Sequence, residues 1–200
     1  MTPPAYRAAA PSPHPLTVAV LIGSTREGRA GLALAEWFAD CARERADLAV
    51  DTVDLAEFDF PARHPAQLTG AAAEFVARVD AADAFVVVTP EYNHGYPASL
   101  KQAIDLPYEE WRAKPVGFLS YGGLAQGLRA VEQLRQVFAE LHAVTMRDGV
   151  SFNLYDGSLG EDGRPPAGSP AEKAAQVLLD QLTWWAHTLR EGRQTRPYAA

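Results

Sequence analysis

The chain has 200 residues, 48% of them hydrophobic and 22% charged, with 18 basic against 25 acidic residues for a formal net charge of −7. A chain of that length buries roughly 70% of its unfolded surface, so a single domain can fold without structural metal, and its one cysteine excludes an intrachain disulfide and any C-x-x-C redox or zinc pair. The acidic balance, with no basic patch against it, argues against nucleic acid and anionic lipid as partners, and no apolar stretch reaches the roughly 20 residues of a membrane span.

Residues 1–15 are rich in proline and alanine, with no apolar core of the signal-peptide kind, and are expected to form a disordered tail. With the lone cysteine, this predicts a cytoplasmic protein. From Leu16 onward, strands are expected over 16–22, 49–55, 84–89 and 115–120, and more weakly over 142–146. The first, third and fourth are apolar throughout, as buried parallel strands are; the second alternates and belongs near an edge.

Helical periodicity covers 30–46, with Leu34, Phe38 and Cys41 on one face, and 70–81, with Phe75, Val76 and Val79. It returns over 124–141, with Leu124, Leu128, Val131, Leu134, Phe138 and Leu141. A final helix over 170–190 begins at the Ser169/Pro170 signature and directs Val177, Leu178, Leu182, Trp185 and Leu189 inward. Residues 147–169, rich in Gly, Pro, Asp and Ser, read as a long surface loop: a lid, an oligomer contact or a plain insertion. Five β-α units with right-handed crossovers predict one domain over 16–190. It would be an open parallel sheet covered on both faces, followed by a short tail over 191–200.

Ligands of such sheets sit outside the carboxyl ends of the strands, where strand order reverses. The first strand ends in Gly23-Ser24-Thr25-Arg26-Glu27-Gly28-Arg29 before a helix, which suits an anion such as phosphate. The G-x-G-x-x-G fingerprint is absent. Arg29 and Ala30 stand where a P-loop needs Lys and Ser/Thr, so magnesium-dependent nucleotide hydrolysis is disfavoured. The bland alternative is a tight turn whose arginines face water.

The third strand ends in Thr89-Pro90-Glu91-Tyr92-Asn93-His94-Gly95-Tyr96-Pro97, where prolines stiffen the backbone and aromatic faces accompany polar tips. This suits a planar heterocycle, or else a rigid loop packed on its own aromatics. The fourth ends in Ser120-Tyr121-Gly122-Gly123, with glycines for close approach and Tyr121 as a further aromatic wall. No Ser-His-Asp set accompanies Ser120. His14, His64, His94, His142 and His187 lack metal-ligand spacing, so no metal site is expected. Cys41, Trp37, Trp184 and Trp185 read as packing residues, whereas Trp111 beside Tyr108 is either core or a subunit contact.

Gly23-Ser24-Thr25-Arg26, the run Pro90 to Gly95 with Leu100-Lys101-Gln102-Ala103-Ile104-Asp105 behind it, and Ser120-Tyr121-Gly122-Gly123 together resemble the NADPH-dependent FMN reductase family over about residues 16–146. The resemblance implies a flavodoxin-like three-layer α/β/α sandwich with a five-stranded parallel sheet. It implies FMN as cofactor, NADPH or NADH as reductant, and a small-molecule electron acceptor such as a flavin or quinone. It also implies a homodimer or homotetramer, in which Tyr96, Tyr108 and Trp111 would form part of a two-fold interface. Ser24 and Arg26, with Arg29 and Gly31, would hold the phosphate; Pro90, Glu91, Tyr92, Asn93, His94 and Gly95 would line the flavin ring; and Ser120, Tyr121, Gly122 and Gly123 would border it. The commoner family pattern is G-S-x-R-x-x-S-x-N, and here Arg29 and Gly31 occupy its last two places. No catalytic side chain is assigned, because hydride transfer is the cofactor's chemistry. The competing reading is a flavodoxin-type electron carrier or flavin-binding redox sensor without NAD(P)H turnover.

Overall fold

The computed structural model describes residues 14–199; the expected disordered tail lies almost wholly outside them. Six strands form one parallel sheet: β1 (Leu16–Ile22), β2 (Leu48–Asp54), β3 (Ala84–Pro90), β4 (Pro115–Gly122), β5 (Val144–Thr145) and β6 (Val150–Asn153). The helices are α1 (Gly31–Arg43), α2 (Gly70–Ala81), α3 (Ala98–Asp105), α4 (Leu128–Glu140) and α5 (Pro170–Thr195). The order β2-β1-β3-β4-β5 places the alternating strand at the edge, as expected, and the three apolar strands at the centre.

Alternation along the central strands explains their unbroken apolar character. Val18, Val20 and Ile22 of β1 join Val86 and Val88 of β3 under α1 and α5, packed with Phe38, Leu178 and Leu182. Ala19, Leu21, Phe85 and Val87 face the opposite layer, with Phe75, Ile104, Trp111 and Phe138 from the other helices and their connections. Each central strand thus buries both faces, which requires apolar residues at every position.

Several boundaries differ from the sequence reading. The fifth strand is broken: β5 pairs with the start of β4, and β6, within the stretch read as loop, pairs with Leu119–Gly122 at its end. Val150 and Phe152 point inward, but four residues flanked by Gly and Asp carry little periodic signal. The helix expected from Leu124 begins at Leu128, because Gln126 (φ 54°) and Gly127 (φ 81°) hold a left-handed turn before it; Leu124 is 94% exposed. On α5 the buried face is Ala175, Leu178, Leu179, Leu182 and Ala186, while Val177 and Trp184 are exposed and Trp185 is only partly covered. Trp111 is fully buried between Phe85 and Phe138, with its indole N–H donating to Ile104 O at 3.0 Å, so it is core and not a subunit contact. Cys41 is buried on α1, and burial, aided by Glu44 and Glu172, pushes its thiol up to about 11.

Candidate functional site

β1 lies between β2 and β3, so its crossovers leave in opposite directions and open a crevice at the carboxyl ends of β1 and β3. Three turns meet there, and the fourteen residues singled out from the sequence lie on them and on the strand and helix ends that flank them.

The β1 turn is tied to its neighbour strand by Gly23 N–H donating to Val88 O at 2.8 Å. Ser24 is fully buried; its Oγ accepts from Arg26 N at 3.4 Å and lies 2.9 Å from Tyr92 Oη, joining this turn to the β3 turn. Thr25 to Gly28 are exposed, and Arg26 has no side-chain partner among the described residues. Arg29 instead pairs with Asp54 at the end of β2, both largely buried, leaving the Arg29 Nε buried without a partner. Ala30 offers α1 no side-chain cap. The N–H groups of the first turn of α1 are therefore available to an outside acceptor.

The β3 turn is a two-residue reversal. Tyr92 and Gly95 exchange backbone hydrogen bonds at 2.8 and 3.0 Å, and Asn93 (φ 50°) and His94 (φ 73°) both adopt the left-handed region. This is the geometry of a type I′ turn. Its base is clamped: the Glu91 carboxylate accepts from Arg129 N at 3.2 Å and from the Arg129 guanidinium at 2.6 Å, and the Gln133 amide donates to His94 O at 2.9 Å. Glu91 therefore braces the turn through α4, and the exposed tip carries Tyr92, Asn93 and His94.

The β4 turn is built on Ser120, whose hydroxyl donates to Gln126 O at 2.8 Å; this side chain is buried and spent on the turn. A Cβ on Gly127 would lie 2.8 Å from Ser120 Cβ and 2.9 Å from Tyr121 N, so the backbone can pass only as glycine. Gly122 and Gly123 remain partly accessible. Tyr121 is not the wall expected of it: strand alternation turns its ring into the α1/α5 core, where it is 4% exposed. Its hydroxyl reaches the start of α1 beside Gly31 and Ser24, with no well-formed hydrogen bond among the described residues.

A cavity of about 280 Å³ opens beside Thr25, bounded by Leu55, Phe58, Phe60, Ser99 and Gln102. A larger one, about 570 Å³, lies between β6 and the start of α5 and touches the β4 turn at Gln126. Sequence reading missed Asp54, Arg129 and Gln133, since nothing local signals that they brace another loop; only the Asp closing an alternating strand marked Asp54. No cluster of His, Cys, Asp and Glu that could hold a metal ion occurs among the described residues.

Together, the doubly wound order and a strand-to-helix turn with free N–H and guanidinium donors define a flavodoxin-like protein whose crevice suits a phosphorylated planar ligand. The profile of the NADPH-dependent FMN reductase family matches residues 16–156, and the chain belongs to that family. An NAD(P)H-dependent FMN reductase from Saccharomyces cerevisiae is 42% identical over 104 residues, 50% of this chain and 52% of the relative. The aligned part is thus about half of that relative's length. A quinone reductase from Escherichia coli K12 is 30% identical over 158 residues, covering 73% of this chain and 84% of the relative. Among solved structures, the flavoenzyme NAD(P)H:(acceptor) oxidoreductase FerB from Paracoccus denitrificans superposes with a TM-score of 0.67 at 23% identity. That match covers 88% of this chain and 98% of the other, and it is a likeness of fold.

Proposed function

We propose that this protein is an NAD(P)H-dependent oxidoreductase that holds FMN at the three turns and reduces small planar acceptors, flavins or quinones. The observation that carries the reading is the β1 turn, which brings together in six residues an exposed Arg26 without a side-chain partner among the described residues, the buried free Nε of Arg29 and the uncapped first turn of α1. A dianionic phosphate supplies acceptors for donors that are otherwise costly to leave unmade. The fit is supported by Gly122 and Gly123, which put no side chain on the exposed part of the β4 turn where a flat ring would lie.

Bound FMN would supply the redox chemistry, accepting a hydride equivalent from the nicotinamide and passing two electrons to the acceptor. The chain's own part is positional. Arg26, Ser24 and the α1 amides fix the phosphate; Tyr92, Asn93 and His94 border the ring; and Glu91, Arg129 and Gln133 hold that border still. We assign the acceptor to the quinone class on the printed activity of the Escherichia coli relative. We also place Tyr96 and the exposed Tyr108 on a contact face between two copies of the chain, in the reducing cytoplasm that a lone cysteine fits.

The test is a purified preparation examined by absorption, then mixed with NADPH or NADH and a simple benzoquinone. A flavin spectrum with quinone-dependent loss of nicotinamide absorbance is expected. A yellow protein that does not turn over would be an electron carrier or sensor instead, and a colourless one that takes up no FMN would end the reading. Light scattering on the same sample should give at least a dimer mass.

A further inference from the structure

Tyr121 and Gly31 meet at the start of α1 in a way that leaves room for only one side chain. A Cβ on Gly31 would collide with the Tyr121 hydroxyl and come within 3.0 Å of the ring carbon that bears it. The hydroxyl arrives from β4, across the sheet, and occupies the space that any side chain at position 31 would fill. It is buried and makes no well-formed hydrogen bond among the described residues; Ser24 and the Gly31 amide are its polar neighbours.

A poorly bonded phenol at a buried position is costly, by the loss of its bonds to water. This one lies in the electrostatic reach of Ser24, Tyr92 and Arg29, the residues that define the β1 turn, and beside the Gly31 amide. Arg29 contributes a second buried donor without a partner at the same place. α1 is thirteen residues long, so its amino end carries the positive pole of a full helix dipole. The Tyr121 hydroxyl and the Arg29 Nε thus flank the start of α1, each buried and without a well-formed partner among the described residues.

We propose that the Tyr121 hydroxyl is a direct ligand of the flavin phosphate, donating from beneath the turn in the place of a side chain that position 31 lacks. This rests on the FMN reading above and deepens it. Burial pushes the phenol up to about 12, so it keeps the proton it donates throughout the physiological range. Ser24, already bonded to Tyr92, then sits between two tyrosines, one bordering the ring and one under the phosphate. The role makes Tyr121 a specificity determinant: it selects a flavin that carries a phosphate over one that does not.

The probes are FMN and riboflavin, which differ only in that phosphate. Full-length chain stripped of flavin is titrated with each, by flavin fluorescence, as wild type, Tyr121→Phe and Gly31→Ala. A hydrogen bond to a charged oxygen predicts FMN binding weakened about tenfold or more in Tyr121→Phe, with riboflavin changed less than about twofold. Gly31→Ala, which displaces the hydroxyl, should weaken FMN selectively in the wild-type background and much less once Tyr121 is Phe. Equal losses for both flavins in both variants would make Tyr121 a packing residue and overturn the proposal, as would an unchanged FMN affinity in Tyr121→Phe. Failure of the wild type to bind FMN would instead remove the reading beneath it, and this inference too.

Discussion

Arg26 stands free on the β1 turn while Arg29, three residues on, is held by Asp54. The two arginines are therefore not equivalent. Arg29 is positioned in advance and half neutralised, whereas Arg26 brings its whole charge to whatever occupies the turn. If Arg26 makes charge-assisted bonds of about 1.5–3 kcal/mol, Arg26→Ala should weaken FMN roughly 10- to 100-fold. Equilibrium titration checks this, and an unchanged affinity would take Arg26 out of the site. At this scale the sequence was informative about which residues gather at the sheet edge and silent about their duties. Glu91 and Ser120 are polar residues in the right turns, yet their side chains are bound to Arg129 and to Gln126 O. Tyr121 looked like a wall because it precedes two glycines. Its direction follows from strand register, with Tyr121 opposite Pro90, and register is not readable from four residues of motif.

Among the connections, the β4 turn is the least tolerant of change. Gly127 and Gly157 both have a left-handed φ, 81° and 75°, but a Cβ on Gly157 would meet nothing within 4 Å, while one on Gly127 would strike Ser120 and Tyr121 backbone. Alanine at Gly157 should thus cost only the dihedral penalty, about 1 kcal/mol. Gly127→Ala adds steric displacement of the turn and should cost about 2–4 kcal/mol, read as a larger drop in urea midpoint. Long periodic elements were legible because α1, α2 and the central strands bury whole faces. Short ones were not. α3 has eight residues and was left unassigned, β6 has four, and the false start at Leu124 arose because apolar spacing continued through a turn that only backbone dihedrals reveal.

The molecule as a whole keeps its functional turns at one edge of the sheet and its charge network at the other. At that far edge Asp83 pairs with Arg190 and Arg193 of α5, and Lys114, 5% exposed, donates to Val79 O and Asp80 O at 2.9 and 2.8 Å, closing the end of α2. Burial, with the nearby Arg193 charge, pulls the Lys114 ammonium down to about 8 from 10.5. Between those values the unfolded chain holds more protons than the folded one, so this residue's contribution makes stability rise with pH across that window. Cys41 acts in the opposite sense: its raised thiol favours the folded state below about pH 9 and loses that advantage as pH climbs towards 11. The clean measurement is the unfolding free energy of wild type minus that of Lys114→Met. That difference should grow between pH 8 and 10, and a flat difference would mean Lys114 titrates normally. The open parallel sheet followed from the β-α repeat and right-handed crossovers, and the flavodoxin-like arrangement from the family resemblance. The far-edge network did not, because it joins residues 34 to 110 positions apart.

Quinones are electrophiles as well as oxidants, and they arylate exposed thiolates. An enzyme of the kind proposed above, which would meet them as substrates, is safest without a nucleophilic sulfur in reach. Here the lone thiol is packed on α1, 9% exposed, and holds its proton well above neutrality, so little of it is ionised and little is accessible. The native fold therefore passivates Cys41, and a thiol reagent should label the chain only as fast as it opens.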